Sequence, residues 1–502
     1  MRLRRLSLRF LLLAAPVVCL STCARAERTN EATRGRGDAE TRGQEIADAR
    51  GDENTPPAHN EKIPSPPAGE GQGGGAEATR GRGDAETRRQ EVVGAREDHK
   101  ALPTPDQQTP SPPAGEGRGG GAEETRGGRV ADARDSDRPA PSTSWPSFRN
   151  GHRQLGVAGS TLPDQPELVW KVATTDGVVG AAAIVGGHAY VPEVSGNLRC
   201  FELAGGKPVW SYLSVEKLEP NDIAPAFNAA PTVTDDAVYV GDETGVMHAI
   251  DLATGKKKWT FSALSEITGG ATVVGDRLLF GSHDGFLYCL KISDHSLAWK
   301  FTTEAQVYAS PAVADGYTFL AGCDEHLRVI ELESGKEAGN VPAGSQIAAS
   351  PAVPDDTLYI GTIAAEVLAV DWKKRSVLWR YSDPERQMPY HASAAVTDKY
   401  VFIGSRDKQL HCIDRKTGQG VWKFASRGRI DSSPVVVGER VFFGSADRNL
   451  YAVGIADGKQ QFKFNTGGEL SAAPAVGEGH LVIGAEGPGG EIFCFGTKTA
   501  NK

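Results

Sequence analysis

A small residue followed ten positions later by an aromatic ring recurs along the C-terminal two thirds of this chain. The small position falls at Cys200, Ala249, Cys289, Val329, Ala369, Cys412, Ala452 and Cys494. The spacings are 49, 40, 40, 40, 43, 40 and 42 residues. Ten residues after the first seven stand Trp210, Trp259, Trp299, Gly339, Trp379, Trp422 and Phe462. One unit, Ala229 to Phe261, holds the segments PTV, AVYVG, VMHAID and KKKWTF, separated by Thr-Asp-Asp, Asp-Glu-Thr-Gly and Ala-Thr-Gly. Four short alternating segments joined by turn residues make one antiparallel sheet. A sheet that small does not stand alone, but copies arranged in a ring bury one another's faces. Six of the seven spacings lie in the 40–45 range of four-stranded propeller blades, and the first is lengthened by the Ser211–Asn228 connection.

The eighth unit runs out of chain soon after Cys494, and its missing strand is available at Leu168-Val-Trp170-Lys-Val. The expected fold is all-β: an eight-bladed β-propeller of four-stranded antiparallel blades over residues 168–497, the last blade completed by an N-terminal strand. Such closure removes the two sheet edges that would otherwise pair with other chains. Pro231, Pro311, Pro351, Pro434 and Pro474 open the first strand of their units. Proline lacks an N–H, so that strand should be an edge facing the central channel.

The first 144 residues are of another kind. Residues 1–26 carry five Arg and no acid, an apolar run from Leu11 to Leu20, and the small-x-small Ala24-Arg25-Ala26. That order is the order of a secretory signal, and the apolar run is too short to span a bilayer. Cleavage after Ala26 and lipidation at Cys23 remain alternatives, since Leu20-Ser21-Thr22-Cys23 is similar to a lipobox. Glu27 to Ser144 contains no Phe, Tyr or Trp. Within it EATRGRGDAETRGQEIADAR and PSPPAGEGQGGGAE each return after 46 residues. Without apolar periodicity this stretch cannot offset its ordering entropy, so a disordered low-complexity tether over 27–144 is expected. Residues 145–167 form a lead-in and 498–502 a tail. The net charge is −9, and residues 27–144 hold 17 basic against 23 acidic residues. Neither nucleic acid nor an anionic membrane surface is indicated; any membrane contact would be through a lipid on Cys23.

The stretch Ala249-x-Asp251-x-x-Thr254-Gly255-x-x-x-Trp259 resembles the tryptophan-docking repeat of the pyrroloquinoline quinone (PQQ)-like family of eight-bladed propellers. Within that family the chain is similar to BamB-like periplasmic propellers, and SWPSFRNGHRQLGV, Ser144 to Val157, resembles their lead-in. The resemblance implies structural docking roles for Trp170, Trp210, Trp259, Trp299, Trp379, Trp422 and Phe462. It also implies a monomeric, non-enzymatic scaffold in the periplasm or at the outer membrane, with the outer-membrane β-barrel assembly machinery as partner. Two other readings stand beside it: a PQQ-dependent dehydrogenase of alcohols or sugars, and an extracellular sugar- or surface-binding propeller.

Chemistry is sparse. The chain has no adjacent Cys pair and no Cys-x-x-Cys-His. No acid and base match the family's catalytic positions, so no catalytic, cofactor-binding or metal residue is assigned and no cofactor is expected. Cys200, Cys289, Cys412 and Cys494 read as buried small residues, while Cys323 falls in a turn. His248 and His411 fill a strand slot held elsewhere by Tyr288 and Tyr451, and Asp242, Asp284, Asp324, Asp407 and Asp447 read as turn caps. Only two connections are lengthened, Ser211 to Asn228 and Ser382 to His391. The second carries Arg386, Tyr390 and His391, and the next connection carries Arg427, Arg429 and Asp431. Arg and Tyr are enriched where interfaces concentrate binding energy, so these six residues are the candidate partner-binding loops. The docking register has a direct check: Trp259→Ala should destabilise the chain by roughly 3–5 kcal/mol in denaturant unfolding.

Overall fold

The computed structural model describes residues 143–220 and 222–498. The targeting segment, Cys23, the 46-residue repeats and residues 499–502 lie outside them. Every helix-or-strand element among the described residues is a strand. They form eight antiparallel sheets, each meandering in chain order: seven have four strands and one has three. In the fifth blade, made of Thr357–Gly361, Val367–Asp371 and Ser376–Tyr381, the inner strand shrinks to a single bridge between Ala352 and Tyr359. The eighth sheet pairs Glu167–Ala173 with Glu491–Gly496, followed by His480–Gly484 and Ala475–Gly477. The N-terminal strand therefore completes the last blade, with Trp170 opposite Cys494.

The small-to-aromatic spacing has a geometric cause. Each small residue pairs directly with its ring across the third and fourth strands, as in Cys200 with Trp210, Ala249 with Trp259 and Cys412 with Trp422. One step later the register slips, leaving Val209, Lys258 and Val421 as extra residues of a β-bulge. The bulge re-aims the outer strand so that the indole lies against the next blade. There its Nε1–H donates to a backbone carbonyl: Trp170 to Leu203 at 2.7 Å, Trp210 to Leu252 at 3.1 Å, Trp299 to Leu332 at 2.9 Å, Trp379 to Arg415 at 3.1 Å and Trp422 to Ile455 at 2.8 Å. Each such bond contributes about 1 kcal/mol beyond burial of the ring. The ring also covers a left-handed glycine in the turn of that next blade. A Cβ on Gly206 or Gly255 would stand 2.6 Å from the ring of Trp170 or Trp210.

Three blades solve the contact differently: in the seventh, Phe462 meets Phe495 of the eighth edge-on at 6.0 Å. Trp259 stacks on His295 at 4.8 Å, and His295 holds the left-handed turn position itself. Gly339 has no ring to offer, and the fifth blade reaches back instead. Trp372 packs on Tyr317 and Phe319 of the fourth blade at 5.5 and 5.0 Å, while Arg375 lies over Gly339. Cys200, Cys289, Cys412 and Cys494 are all buried, and burial pushes the first three thiols up to about 12.

The lead-in lines the channel. Its backbone meets the blades in ring order. Thr143 accepts from Glu478 of the eighth blade, Trp145 pairs with Ile184 of the first, and Pro146 accepts from Val233 of the second. His152, Arg153, Leu155 and Gly156 accept from Val313, Val353, Val396 and Val436 of the fourth to seventh. The third is reached by Gln154 Nε2 on Thr272 Oγ1 at 3.4 Å. The inner strands are thus edges, as their opening prolines require, and the lead-in uses those edges. Phe148 packs against Ala181, Ala230 and Ala473, which lead into the first, second and eighth blades.

Neighbouring glycines separate strain from mere substitution. Gly206→Ala meets Trp170 at a φ of +70° and should destabilise by about 1–3 kcal/mol, whereas nothing lies within 4 Å of a Cβ at Gly205. Urea unfolding of the two alanine variants should show Gly205→Ala near wild type and Gly206→Ala clearly weaker.

Candidate functional site

Blade-to-blade connections and second-to-third-strand turns share one face, here called the upper face. The lead-in enters beside the opposite set of turns. On the upper face, Arg406 grips Asp431 with Nε to Oδ1 at 3.0 Å and Nη2 to Oδ2 at 3.2 Å. Arg429 adds Nε to Asp431 Oδ2 at 3.0 Å and continues to Glu469 Oε2 at 3.1 Å. Burial opposes the charge of Asp431, but Arg406, His391 and Arg429 outweigh it and hold the carboxyl below its usual range. His391, within this field and mostly buried, is lowered to about 4, first by burial and then by Arg406. Arg386 reaches the carbonyl of Asp407 at 3.4 Å. The structure therefore draws the two sequence-derived loops together through the sixth and seventh blades. Arg427 is exposed, with its backbone N–H on Asp447 Oδ2 at 2.9 Å. Arg406, the hub of the cluster, sits beside Asp407 in a turn that the sequence marked only by its Asp.

Tyr390 corrects the expectation of a surface contact. It is 1% exposed and its ring meets His411 edge-on at 5.5 Å, because the lengthened connection folds its C-terminal end between blades. Its hydroxyl is raised in pKa by burial and is withdrawn from any partner.

Beneath Tyr390 lies a buried polar wire. His411 Nε2 is 3.0 Å from Asp407 Oδ2, and Nδ1 is 3.0 Å from the Tyr381 hydroxyl. The tautomer that satisfies both donates from Nε2 and accepts Tyr381 O–H at Nδ1. Asp383 Oδ2 lies 4.0 Å from Nδ1 and accepts from Lys423 Nζ at 2.9 Å. Asp383, Asp407 and His411 offer three ligand atoms within 4.8 Å of one another, the spacing of a metal site. Here Lys423 supplies the cation and both imidazole nitrogens are engaged, so the group is satisfied by protein alone. The second blade repeats it: His248 bridges Asp242 and Tyr212 at 3.0 Å each, with Phe227 edge-on at 5.3 Å. Tyr288 on Asp284 and Tyr451 on Asp447 fill the same slot at 2.7 and 2.8 Å. The turn Asp residues also cap backbone N–H groups, Asp242 to Val246 and Asp407 to Gln409. The wire is a structural variant of one strand position.

Both lengthened connections border clefts at the rims between blades. One of about 220 Å³ is lined by Tyr212, Ser214, Asp242 and His248; another of about 470 Å³ is lined by Arg380, Tyr381, Asp383, Trp422 and Lys423. Apolar ends that the sequence did not single out project from three connections: Leu218, Ile223 and Met388 are 43–44% exposed and Leu264 is 82% exposed.

Fold and geometry define a PQQ-like eight-bladed propeller. The family model described as outer membrane protein assembly factor BamB matches residues 158–266, 261–394 and 376–499, and the chain belongs to that family. No curated protein matches by sequence. Among solved structures, BamB from Moraxella catarrhalis is similar at TM-score 0.55 and 19% identity, covering 67% of this chain and 99% of that one. The quinohemoprotein alcohol dehydrogenase ADHIIG from Pseudomonas putida HK5 is similar at TM-score 0.59 and 13% identity, covering 72% and 82%. A europium-containing methanol dehydrogenase is similar at TM-score 0.59 and 12% identity, covering 70% and 98%. These likenesses are likenesses of fold.

The depressed His391 pKa gives a pH test. Below 6.5 the unfolded chain takes up a proton that the folded imidazole resists until about 4. Stability should fall as pH drops through that window, by up to about 1.4 kcal/mol per pH unit. His391→Gln should flatten the fall, measured by urea unfolding between pH 4 and 7.

Proposed function

We propose that this chain is an exported, non-enzymatic scaffold whose upper face docks a protein partner at the periplasmic side of the outer membrane. The observation that carries the reading is the upper face itself. Its connections present apolar ends: Leu218, Ile223 and above all Leu264 on either side of the second blade, and, across the ring, Met388 in the connection that carries Arg386, next to the one that carries Arg427 and Arg429. Exposed apolar groups with arginine at a rim are the composition of a docking patch. Membership of the BamB family supports outer-membrane β-barrel assembly machinery as the partner. The basic-apolar segment of residues 1–26 supports export, and Cys23 offers a lipid anchor in place of cleavage after Ala26.

A dehydrogenase reading draws on the quinone enzymes that share the fold. Its residues fit poorly. The charged groups around Asp431 are already committed to one another, and Lys423 already neutralises Asp383. No reaction step is assigned through a quinone. Full-length protein recovered from envelope membranes should bring down barrel-assembly components identified by mass spectrometry. Leu264→Glu should reduce that recovery at least tenfold with an unchanged melting temperature, because the residue is exposed. Quinone-dependent dye reduction by the purified chain would replace the scaffold reading with the enzymatic one.

A further inference from the structure

The lead-in differs in kind from the blades it touches. Residues 143–158 make one circuit of the channel: backbone bonds meet the eighth, first, second, fourth, fifth, sixth and seventh blades in that order, and the Gln154 side chain reaches the third. Every backbone bond from that circuit to the blades is made to an inner-strand edge or to the turn that follows it, and three more, Asn150 to Ser147, Gln154 to Gly151 and Gly156 to Arg149, fold the segment on itself. The inner strands are already paired on their other side, so each blade is complete without the lead-in. What the ring offers is a set of equivalent edge N–H groups around a hole, and what fills it is a peptide folded through tight turns and anchored by Trp145, Phe148 and Arg149.

Its seating is imperfect. Among the described residues, the buried side-chain polar atoms without a partner are Trp145 Nε1, Arg149 Nε and Gln154 Oε1, all in this one segment. Arg149 is fully buried with no carboxylate. Its Nη1 and Nη2 donate to the carbonyls of Pro434 at 2.6 Å and Ala394 at 2.8 Å, and burial alone lowers it to about 9. Arg149, Asn150 and Gln154 hold positive φ of 59°, 61° and 58°. Unpaired buried donors and left-handed non-glycine residues both weaken the bound form. The link to the closing strand is pinned separately, by Arg440 on the carbonyls of Leu162, Pro163 and Asp164 at 2.8–3.0 Å. The circuit can therefore leave while Trp170 and its strand stay.

We propose that the channel mouth opposite the upper face is a peptide-receiving site whose resident ligand is the chain's own segment Ser144–Ala158, exchangeable with that segment of a second copy. The ligand class is a turn-containing peptide carrying indole, phenyl and guanidinium anchors at this spacing. Its recognition rests on backbone edges, the mode by which added strands bind sheets. This site is distinct from the upper-face docking patch and does not depend on it.

Hydrogen exchange on the full wild-type chain tests separability. The amides of Val233, Val313, Val353, Val396 and Val436 all donate to the segment. They should exchange together, at least 100-fold faster than second-strand amides such as those of Val240 and Ile403. Exchange of that set only at the global unfolding rate would overturn the proposal. Exchange in trans is tested with a labelled synthetic peptide of residues 143–160. The full chain carrying Phe148→Ala and Arg149→Ala should bind it at least tenfold more tightly than wild type, whose site is filled. A folded double variant that does not bind, or equal binding to both chains, would also overturn it. If the double variant fails to fold, the exchange measurement on wild type decides alone.

Discussion

Six of the eight blades are held to the next by an indole laid on a left-handed turn. The contact uses three things at once: a small residue across the strand pair, a bulge that turns the outer strand, and a left-handed turn residue, glycine at five joints and His295 under Trp259. Cys200, Trp210 and Gly255 supply them between the first and second blades. The indole also satisfies its one donor on the Leu252 carbonyl, so burial leaves no polar group unpaired. A sheet of four strands is marginal alone, and this joint converts eight marginal sheets into one body. Where the fourth blade lacks its ring, Trp372 and Arg375 approach from the fifth to fill the gap. The joint can be rebuilt from the other side because packing requires the volume and not the particular residue that supplies it.

Closure concentrates on the N-terminal side of the propeller. Trp170 completes the eighth blade, and the lead-in touches all eight blades from inside. The two ends of the channel consequently differ. One is lined by a peptide with buried, incompletely paired anchors, and the other opens among charged and apolar loops. The upper face and the opposite mouth are separate surfaces of the same ring.

The candidate site was partly legible. The lengthened connection and its Arg386 and His391 could be found from blade length, as could Arg427, Arg429 and Asp431. Tyr390 could not be placed, because an aromatic at the end of a long loop reads the same whether it points out or folds under. Here it folds onto His411. Arg406 was hidden by its ordinary turn, since its partner Asp431 is 25 residues away and belongs to the next blade's connection. The strand slot of His248 and His411 was legible from Tyr288 and Tyr451. Their wiring to Tyr212 and Tyr381 was not, because those partners lie on the preceding blade.

Sequence alone determined the number of blades, the strand register and the N-terminal strand in the eighth. All three follow from local periods: alternation of two within strands, about forty between blades, and ten between small residue and ring. Tertiary structure alone decided the course of the lead-in, the compensation at Gly339 and the ion-pair chain from Arg406 to Glu469. Each of these joins residues from different blades or from far along the chain. A periodic pattern fixes what every blade shares, while the contacts that make one blade unlike another depend on what its neighbours bring to the same space.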